Sequence, residues 1–297
     1  MDYRIKHITE YRYNNRVSHC YNMAHLMPRD TGRQRCQNAA VAVVPEMAFS
    51  STREDYFGNV AYHFEIQRPH KHLVITASSD VQTQAQTVGG DLSDGPSCRS
   101  VRRQLSAPND ADTLDSREFV LNSPAVHVSA PLREYAQASF RDDRPFLAAV
   151  MDLTTRIYQE FKYDPESTTV ATPLAEVIEN RHGVCQDFAH LQIGCLRALG
   201  FSAKYVSGYL ETLPPPGKEK LIGADASHAW ISVFVPQQGW VEFDPTNNCL
   251  AGEQHIVTAW GRDYFDVTPL KGVIFGGGDN PSLRVSVDVA RVAPAAS

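Results

Sequence analysis

The sequence lacks any run of about 20 apolar residues, the length that a helix needs to cross a bilayer. It also lacks an excess of basic residues, since 28 Lys and Arg stand against 34 Asp and Glu, a formal net charge of -6. This mild acidity argues against nucleic acid or an anionic membrane as the main partner. The first residues, MDYRIKHITEYRYNN, contain no apolar segment typical of a signal peptide, so we expect a cytosolic protein.

No cofactor or metal motif stands out. His70 and His72 flank Lys71, but two histidines make a poor zinc site, which usually needs a third protein ligand. The glycines that begin at Gly276 lead into Asp-Asn-Pro rather than into a helix, so they do not form a phosphate-binding loop. We therefore expect neither a metal nor a cofactor.

The six cysteines are scattered and include no Cys-x-x-Cys pair. In a reducing compartment we expect them to be free thiols. Either at least one of them takes part in chemistry, or all six are packing residues. They are Cys20, Cys36, Cys98, Cys185, Cys195 and Cys249.

Three sections follow one another along the chain. In residues 1–85, alternating and β-branched residues, with turn residues at 28–32 and 55–59, predict a small antiparallel β-sandwich. Residues 86–130 are rich in Gly, Ser, Pro and Asp without periodicity, which predicts a linker that is partly ordered at best. Residues 131–297 show helical and then strand patterns, which predict an α+β domain.

Local patterns predict the elements of this last section. Thr172 and Pro173 suit the N-cap and first position of a helix. The other predicted helices are 131–140, 145–161 and 185–199; the predicted strands are 203–210, 228–235, 240–244 and, in the same domain, 283–289, with a turn at 214–217.

Cys185 follows the loop Arg181-His-Gly-Val and begins a predicted helix. The positive partial charge of a helix N-terminus favours the thiolate, which is the nucleophile, and its free N–H groups could hold an oxyanion. An isolated cysteine is more often a small buried hydrophobe. Cys195 fits that description because it falls on the apolar stripe of the helix, whereas Cys185 precedes the stripe.

His228 begins one predicted strand and Asp244 ends the next. Taken singly, a structural histidine and a turn-capping aspartate are the commoner interpretations. Two adjacent antiparallel strands could, however, place these side chains together with the imidazole directed at Cys185. That is the arrangement of a base that is oriented by a carboxylate.

Taken together, GVCQDFAHL around Cys185, SHAW at His228 and WVEFDPTNN at Asp244 resemble the bacterial transglutaminase-like superfamily. YVSGYL also fits it, and YRIKHITEYRY, LMPRD, DYFGN and Pro69-His70 resemble the N-terminal β-domain of one bacterial branch. The resemblance implies a papain-like fold for residues 131–297. It also implies Cys185 as nucleophile, His228 as general base and then acid, and Asp244 as the orienting carboxylate.

Other residues near these motifs are weaker candidates. Tyr163 could donate to an oxyanion, although a tyrosine at the edge of the core is the commoner case. Asp187 and His190 follow Cys185 on its helix, and we expect Asp187 to hydrogen-bond neighbouring loops. The segment 262–266 resembles one that recurs in the same branch and could line a cleft or form a surface salt bridge.

The predicted function is attack on an amide bond through a thioester on Cys185. The same triad serves hydrolysis and transfer to an amine; we favour hydrolysis because no motif marks a second amine site. A binding or scaffold protein on a retired enzyme core is a rival, against which the intact triad counts. The expected partner is a peptide, a protein or a small amide, and the oligomeric state is open.

Overall fold

The computed structural model of the protein describes residues 1–86, 90–212 and 226–292. Its strands are β1 (Asp2–Ala24), β2 (Gln34–Val44), β3 (Phe49–Glu54), β4 (Val60–Ile66), β5 (His70–Thr83), β6 (Lys162–Tyr163), β7 (His182–Gly183), β8 (Ala203–Leu210), β9 (Ala226–Val235), β10 (Gly239–Asp244), β11 (Cys249–Leu250), β12 (His255–Gly261), β13 (Leu270–Gly276) and β14 (Ser282–Arg291). Its α-helices are α1 (Cys98–Ser106), α2 (Ala111–Ser116), α3 (Ala130–Gln137), α4 (Phe146–Glu160), α5 (Leu174–Asn180) and α6 (Cys185–Ala198). Short 3₁₀ helices span Arg117–Val120 and Tyr264–Asp266.

Strand β1 organises the N-terminal sheet. Its first half pairs with β5 and β14, and its second half with β4 and β13, all antiparallel. The register with β5 shifts between Arg12 and Val17, and such irregularities bend a strand. The strands therefore form one curled seven-stranded sheet, of which β2-β5-β1-β4-β3 is the main path. The antiparallel layers that the sequence predicts as a sandwich belong to this single sheet.

The sequence predicted that the last strand belongs to the same domain as the second sheet, but the strand does not join that sheet. β14 pairs with β1 from Tyr3 opposite Arg291 to Arg12 opposite Ser282. An alternating run predicts that a strand exists but does not identify its partner, because pairing is decided by distant parts of the chain. The C-terminal strand thus returns to the N-terminal sheet.

The predicted linker is also wrong as a description of the chain between residues 90 and 130. It contains α1 and α2, and Cys98, Val101 and Leu105 of α1 are buried in the main core. The polar residues interpreted as loop signals are helix caps: the side chains of Ser97 and Asp110 accept hydrogen bonds from the backbone N–H groups three residues on. Whether a domain boundary lies at 85 or 131 stays a prediction.

The second sheet has the order β11-β10-β9-β8-β12, and α6 packs on one of its faces. Predicted helices 145–161 and 185–199 are present as α4 and α6, and Cys195 is buried in the core between them, as expected. The α+β prediction is confirmed. Thr172 is not the cap of α5, because Pro173 occupies that position and the Thr172 hydroxyl accepts from the Thr169 N–H instead.

The predicted turn at 214–217 lies outside the described residues. In the described part of the chain, no helix is long and apolar enough to cross a membrane.

Candidate active site

The loop that leads into α6 is shaped by two backbone features. Arg181 ends α5 with a left-handed φ of 59°. Gly183 then passes so close to α6 that an added Cβ would lie 2.8 Å from the Cβ of Asp187. The carboxylate of Asp187 accepts hydrogen bonds from the Val184 N–H at 2.8 Å and from the Thr168 hydroxyl at 2.7 Å. Asp187 therefore bonds the neighbouring loops, as the sequence predicted.

Cys185 is the first residue of α6 and is half-buried. Val184, at the N-cap, has no side-chain acceptor, and the N–H groups of residues 185–187 donate to no acceptor among the described residues. The thiol thus lies at the positive end of the helix dipole, beside unpaired donors. By contrast, burial raises the pKa of the Cys195 thiol far above its ordinary value and that of Cys249 to about 11.

His228 and Asp244 meet at the edge of the second sheet. Phe243 of β10 lies opposite Ile231 of β9. Because side chains alternate between the two faces along each strand, this register places Asp244 and His228 on the same face of the sheet. His228 Nε2 and Asp244 Oδ2 are 2.8 Å apart, and both side chains are buried.

Asp244 is fully buried and accepts five hydrogen bonds. Its Oδ2 accepts from His228 Nε2, from His255 Nε2 at 3.1 Å and from Asn247 Nδ2 at 2.7 Å. Its Oδ1 accepts from the backbone N–H groups of Thr246 and Asn247. Burial raises the pKa of Asp244, but hydrogen bonds from His228 and His255 outweigh it and hold the pKa well below the usual range. The carboxylate is therefore ionised at neutral pH.

The Cys185 side chain is a hydrogen-bond partner of His228. Because Nε2 of the ring is bonded to Asp244, Nδ1 is the nitrogen left to face the thiol. Burial lowers the pKa of His228, but Asp244 and Cys185 raise it by more, to about 10. A protonated ring beside the sulfur favours the imidazolium–thiolate pair. The structure thus brings the three predicted residues together.

Comparison with known proteins places this arrangement in a family. The bacterial transglutaminase-like N-terminal region matches residues 3–82, and the transglutaminase-like superfamily core matches residues 133–245. The uncharacterized protein Rv2569c of Mycobacterium tuberculosis is 43% identical over 293 residues, covering 97% of this chain and 92% of its own. The chain belongs to the bacterial transglutaminase-like family.

Two further proteins similar to this transglutaminase-like protein match different shares of its chain. A protein-glutamine gamma-glutamyltransferase of Pseudomonas aeruginosa is 31% identical over 102 residues, which are 32% of this chain and 15% of that protein. The crystal structure of a provisionally assigned cysteine protease from Cytophaga hutchinsonii has a TM-score of 0.75 at 22% identity, covering 100% of this chain and 92% of its own. That likeness shows the shared fold.

Two residues of this site, His255 and Asn247, were not among the candidates predicted from the sequence. The Gly252 N–H donates to His255 Nδ1 at 3.1 Å, so that nitrogen carries the lone pair and Nε2 carries the proton donated to Asp244. His255 begins β12, a strand that was not predicted either, although His-Ile-Val-Thr-Ala-Trp is rich in β-branched residues. Asn247 lies within the WVEFDPTNN segment, three residues after Asp244.

His228, Asp244 and His255 could in principle hold a metal ion, because one ligand atom of each lies within 4.8 Å of the others. Hydrogen bonds account for the same cluster, since Asn247 directs an N–H group at the shared Asp244 oxygen. A cation there would have to displace that donor and remove the proton of His255. The donor set therefore fits an oriented carboxylate better than a metal centre.

The weaker candidates have separate surroundings. Tyr163 is 52% exposed, lies beside the Cys185 loop and packs edge-to-face on Phe188 at the edge of the core, as expected; burial and the charge of Cys185 raise its pKa. His190 is buried and accepts from the Tyr264 N–H, and burial lowers its pKa to about 4. Arg262 forms an ion pair with Asp266 at 2.9 Å. His72 is bonded to Glu10, and His70 packs against Tyr13.

Proposed function

We propose that this transglutaminase-like protein cleaves amide bonds through a thioester on Cys185, with water as the acceptor. The observation that carries the proposal is the buried 2.8 Å bond between His228 and Asp244, made by a histidine that is also hydrogen-bonded to Cys185. An orienting carboxylate, a protonated base and a thiol at a helix start are the parts that thiol acyl transfer needs.

Each part acts at a defined step of the reaction. The Cys185 sulfur attacks the carbonyl carbon, and the N–H groups at the start of α6 stabilise the negative oxygen that develops. His228 gives its proton to the departing amine as the C–N bond breaks, leaving a thioester. The ring then takes a proton from water, whose oxygen attacks the thioester; the acid leaves and the thiolate forms again.

Transfer to an amine is the second candidate. It is favoured by the 31% identity of one segment to the glutamyltransferase of P. aeruginosa. The acyl-enzyme would be the same, and an amine would replace water in the last step. We favour water because the sequence has no motif for a second amine site.

The two outcomes differ in their products. We expect dimethylated casein, incubated with the protein and dansylcadaverine, to gain free carboxyl groups faster than it gains fluorophore. Cys185→Ala should lower the rate by a factor of about 10⁴ or more, as loss of a nucleophile does elsewhere. Cys36→Ala changes another half-buried thiol, one in the N-terminal sheet, and should leave the rate unchanged.

Two results would contradict the proposal. Fluorophore incorporation that outruns release of acid would replace water by an amine as the acceptor. Turnover that survives in the Cys185→Ala protein would remove Cys185 from the chemistry.

A further inference from the structure

A pocket of about 430 Å³ lies away from Cys185. Ala203 and Tyr205 of β8 pack in the core beside α6, so Lys204 between them projects from the opposite face of the sheet. Lys204 lines this pocket together with aromatic and charged side chains. Those used below are Trp240, Trp260, Phe119, Arg33 and Glu242.

Lys204 is a buried amine with no carboxylate in hydrogen-bonding or ion-pair contact among the described residues. The residue is 5% exposed, and its Nζ lies 4.1 Å from the ring centroid of Trp240 and 3.7 Å from that of Trp260. No hydrogen bond or ion pair joins Nζ to any residue in the described ranges, 1–86, 90–212 and 226–292. Cation–π contact with the two indoles is favourable but supplies no oxygen acceptor to the three N–H groups.

Glu242 does not fill that role. In the sheet, Lys204 lies opposite Ser232, and Ser232 lies opposite Glu242. Two strand spacings therefore separate the backbones of Lys204 and Glu242, roughly 10 Å. The Glu242 Oε2 atom accepts instead from Arg33 at 2.6 Å and from Trp230 Nε1 at 2.7 Å.

A second cation, Arg29, lies close to Lys204. The guanidinium of Arg29 lies 3.3 Å from the ring centroid of Trp260, the same indole that contacts Lys204. Burial and the charge of Arg29 lower the pKa of Lys204 to about 7, although Glu242 raises it. A bound anion would stabilise the protonated amine, because an opposite charge close by favours the charged form.

We propose that this pocket binds a small organic carboxylate, with the carboxylate on Lys204 and a flat apolar body against Trp240, Trp260 and Phe119. The volume is within the range of small-molecule sites, which combine apolar walls with a few polar groups. One unpaired ammonium matches one carboxylate. This inference does not depend on the chemistry of Cys185, since neither that residue nor His228 nor Asp244 lines the pocket.

Benzoate and benzamide test the proposal with the unmodified protein, because they share a shape and differ in charge. Two of the three tryptophans line the pocket, so tryptophan fluorescence, supported by calorimetry, reports occupancy. We expect benzoate to bind saturably and benzamide to bind at least ~10-fold more weakly, since a hydrogen bond to a charged group is worth at least that factor.

Variants locate the site. Lys204→Met should weaken benzoate binding ~10-fold or more, and Lys204→Arg, which keeps the cation, should retain it. Lys6→Met, at an exposed lysine of β1, is the matched control and should bind as the unmodified protein does.

Absence of benzoate binding at millimolar concentration, equal binding of benzamide, or tighter binding of inorganic phosphate would each overturn the proposal. Benzoate binding that is unchanged in Lys204→Met would do the same. If Lys204→Met fails to fold, the comparison of benzoate with benzamide on the unmodified protein still decides.

Discussion

Asp244 shares one oxygen among His228, His255 and Asn247. The role of His255 follows from its tautomer. The Gly252 N–H points at Nδ1, so Nε2 carries the proton that His255 donates to Asp244. We interpret His255 as a positioning residue that fixes Asp244 while Asp244 orients His228.

Replacing His255 should lower the reactivity of the Cys185 thiol. In the unmodified protein the His228 ring stays protonated up to its pKa of about 10, so iodoacetamide should alkylate Cys185 at mildly acidic pH. Cys249, with a pKa raised by burial to about 11, should not react and serves as internal control. His255→Leu should slow Cys185 alkylation about tenfold, the effect of losing a hydrogen bond to a charged group.

Partial recovery of the rate in His255→Gln, whose amide can still donate to Asp244, would separate positioning from mere packing. Equal rates of Cys185 alkylation in the Leu and Gln variants would show that His255 is not a positioning residue. If Cys185 reacts no faster than Cys249 in the unmodified protein, the activated thiol itself is disproved, and the retired scaffold becomes the better interpretation.

At the scale of the element, the entry to α6 depends on close approach. Gly183→Ala would set a Cβ 2.8 Å from both the Cβ and an Oδ2 oxygen of Asp187, so the loop or the helix start must shift. The hydrogen bond from Val184 to Asp187 would break with it. We expect Cys185 alkylation to slow at least about tenfold, with a loss of about 1–3 kcal/mol in the free energy of unfolding.

Gly95→Ala is the matched control, since an added Cβ there meets nothing within 4 Å and φ is not positive. Denaturant unfolding and alkylation of both variants make the comparison. Equal behaviour of the two variants would show that the close approach at Gly183 is not needed.

Elements with strong internal patterns could be predicted from the sequence, and those defined by distant partners could not. The periodicity of α4 and α6 located both helices and placed Cys185 at a helix start. Helices α1 and α2, nine and six residues long, were hidden because their N-caps are Ser97 and Asp110, residue types that also mark loops. His255 was missed because its significance lies in a contact with Asp244 across the sheet edge, and no local pattern records that contact.

At the scale of the whole molecule, the two sheets are tied together. The Tyr209 hydroxyl lies 3.1 Å from His7 of β1, and Arg33 bonds Glu242 across the same junction. The chain passes from the N-terminal sheet through the second sheet and returns in β13 and β14 to pair with β1. A cut between the predicted domains therefore separates strands that are hydrogen-bonded neighbours.

Truncation tests this dependence. Residues 131–297 alone would leave β13 and β14 without β1, exposing two unpaired strands, and would strip Cys98, Val101 and Leu105 from the core around α6. We expect the fragment to be insoluble, or to lack a cooperative thermal transition. Residues 1–292, the matched control, keep every described strand and should melt in one transition with the unmodified protein's midpoint. A soluble 131–297 fragment that melts cooperatively and keeps its Cys185 reactivity would show that the second sheet and its helices fold without the first, and that the return of β14 is dispensable.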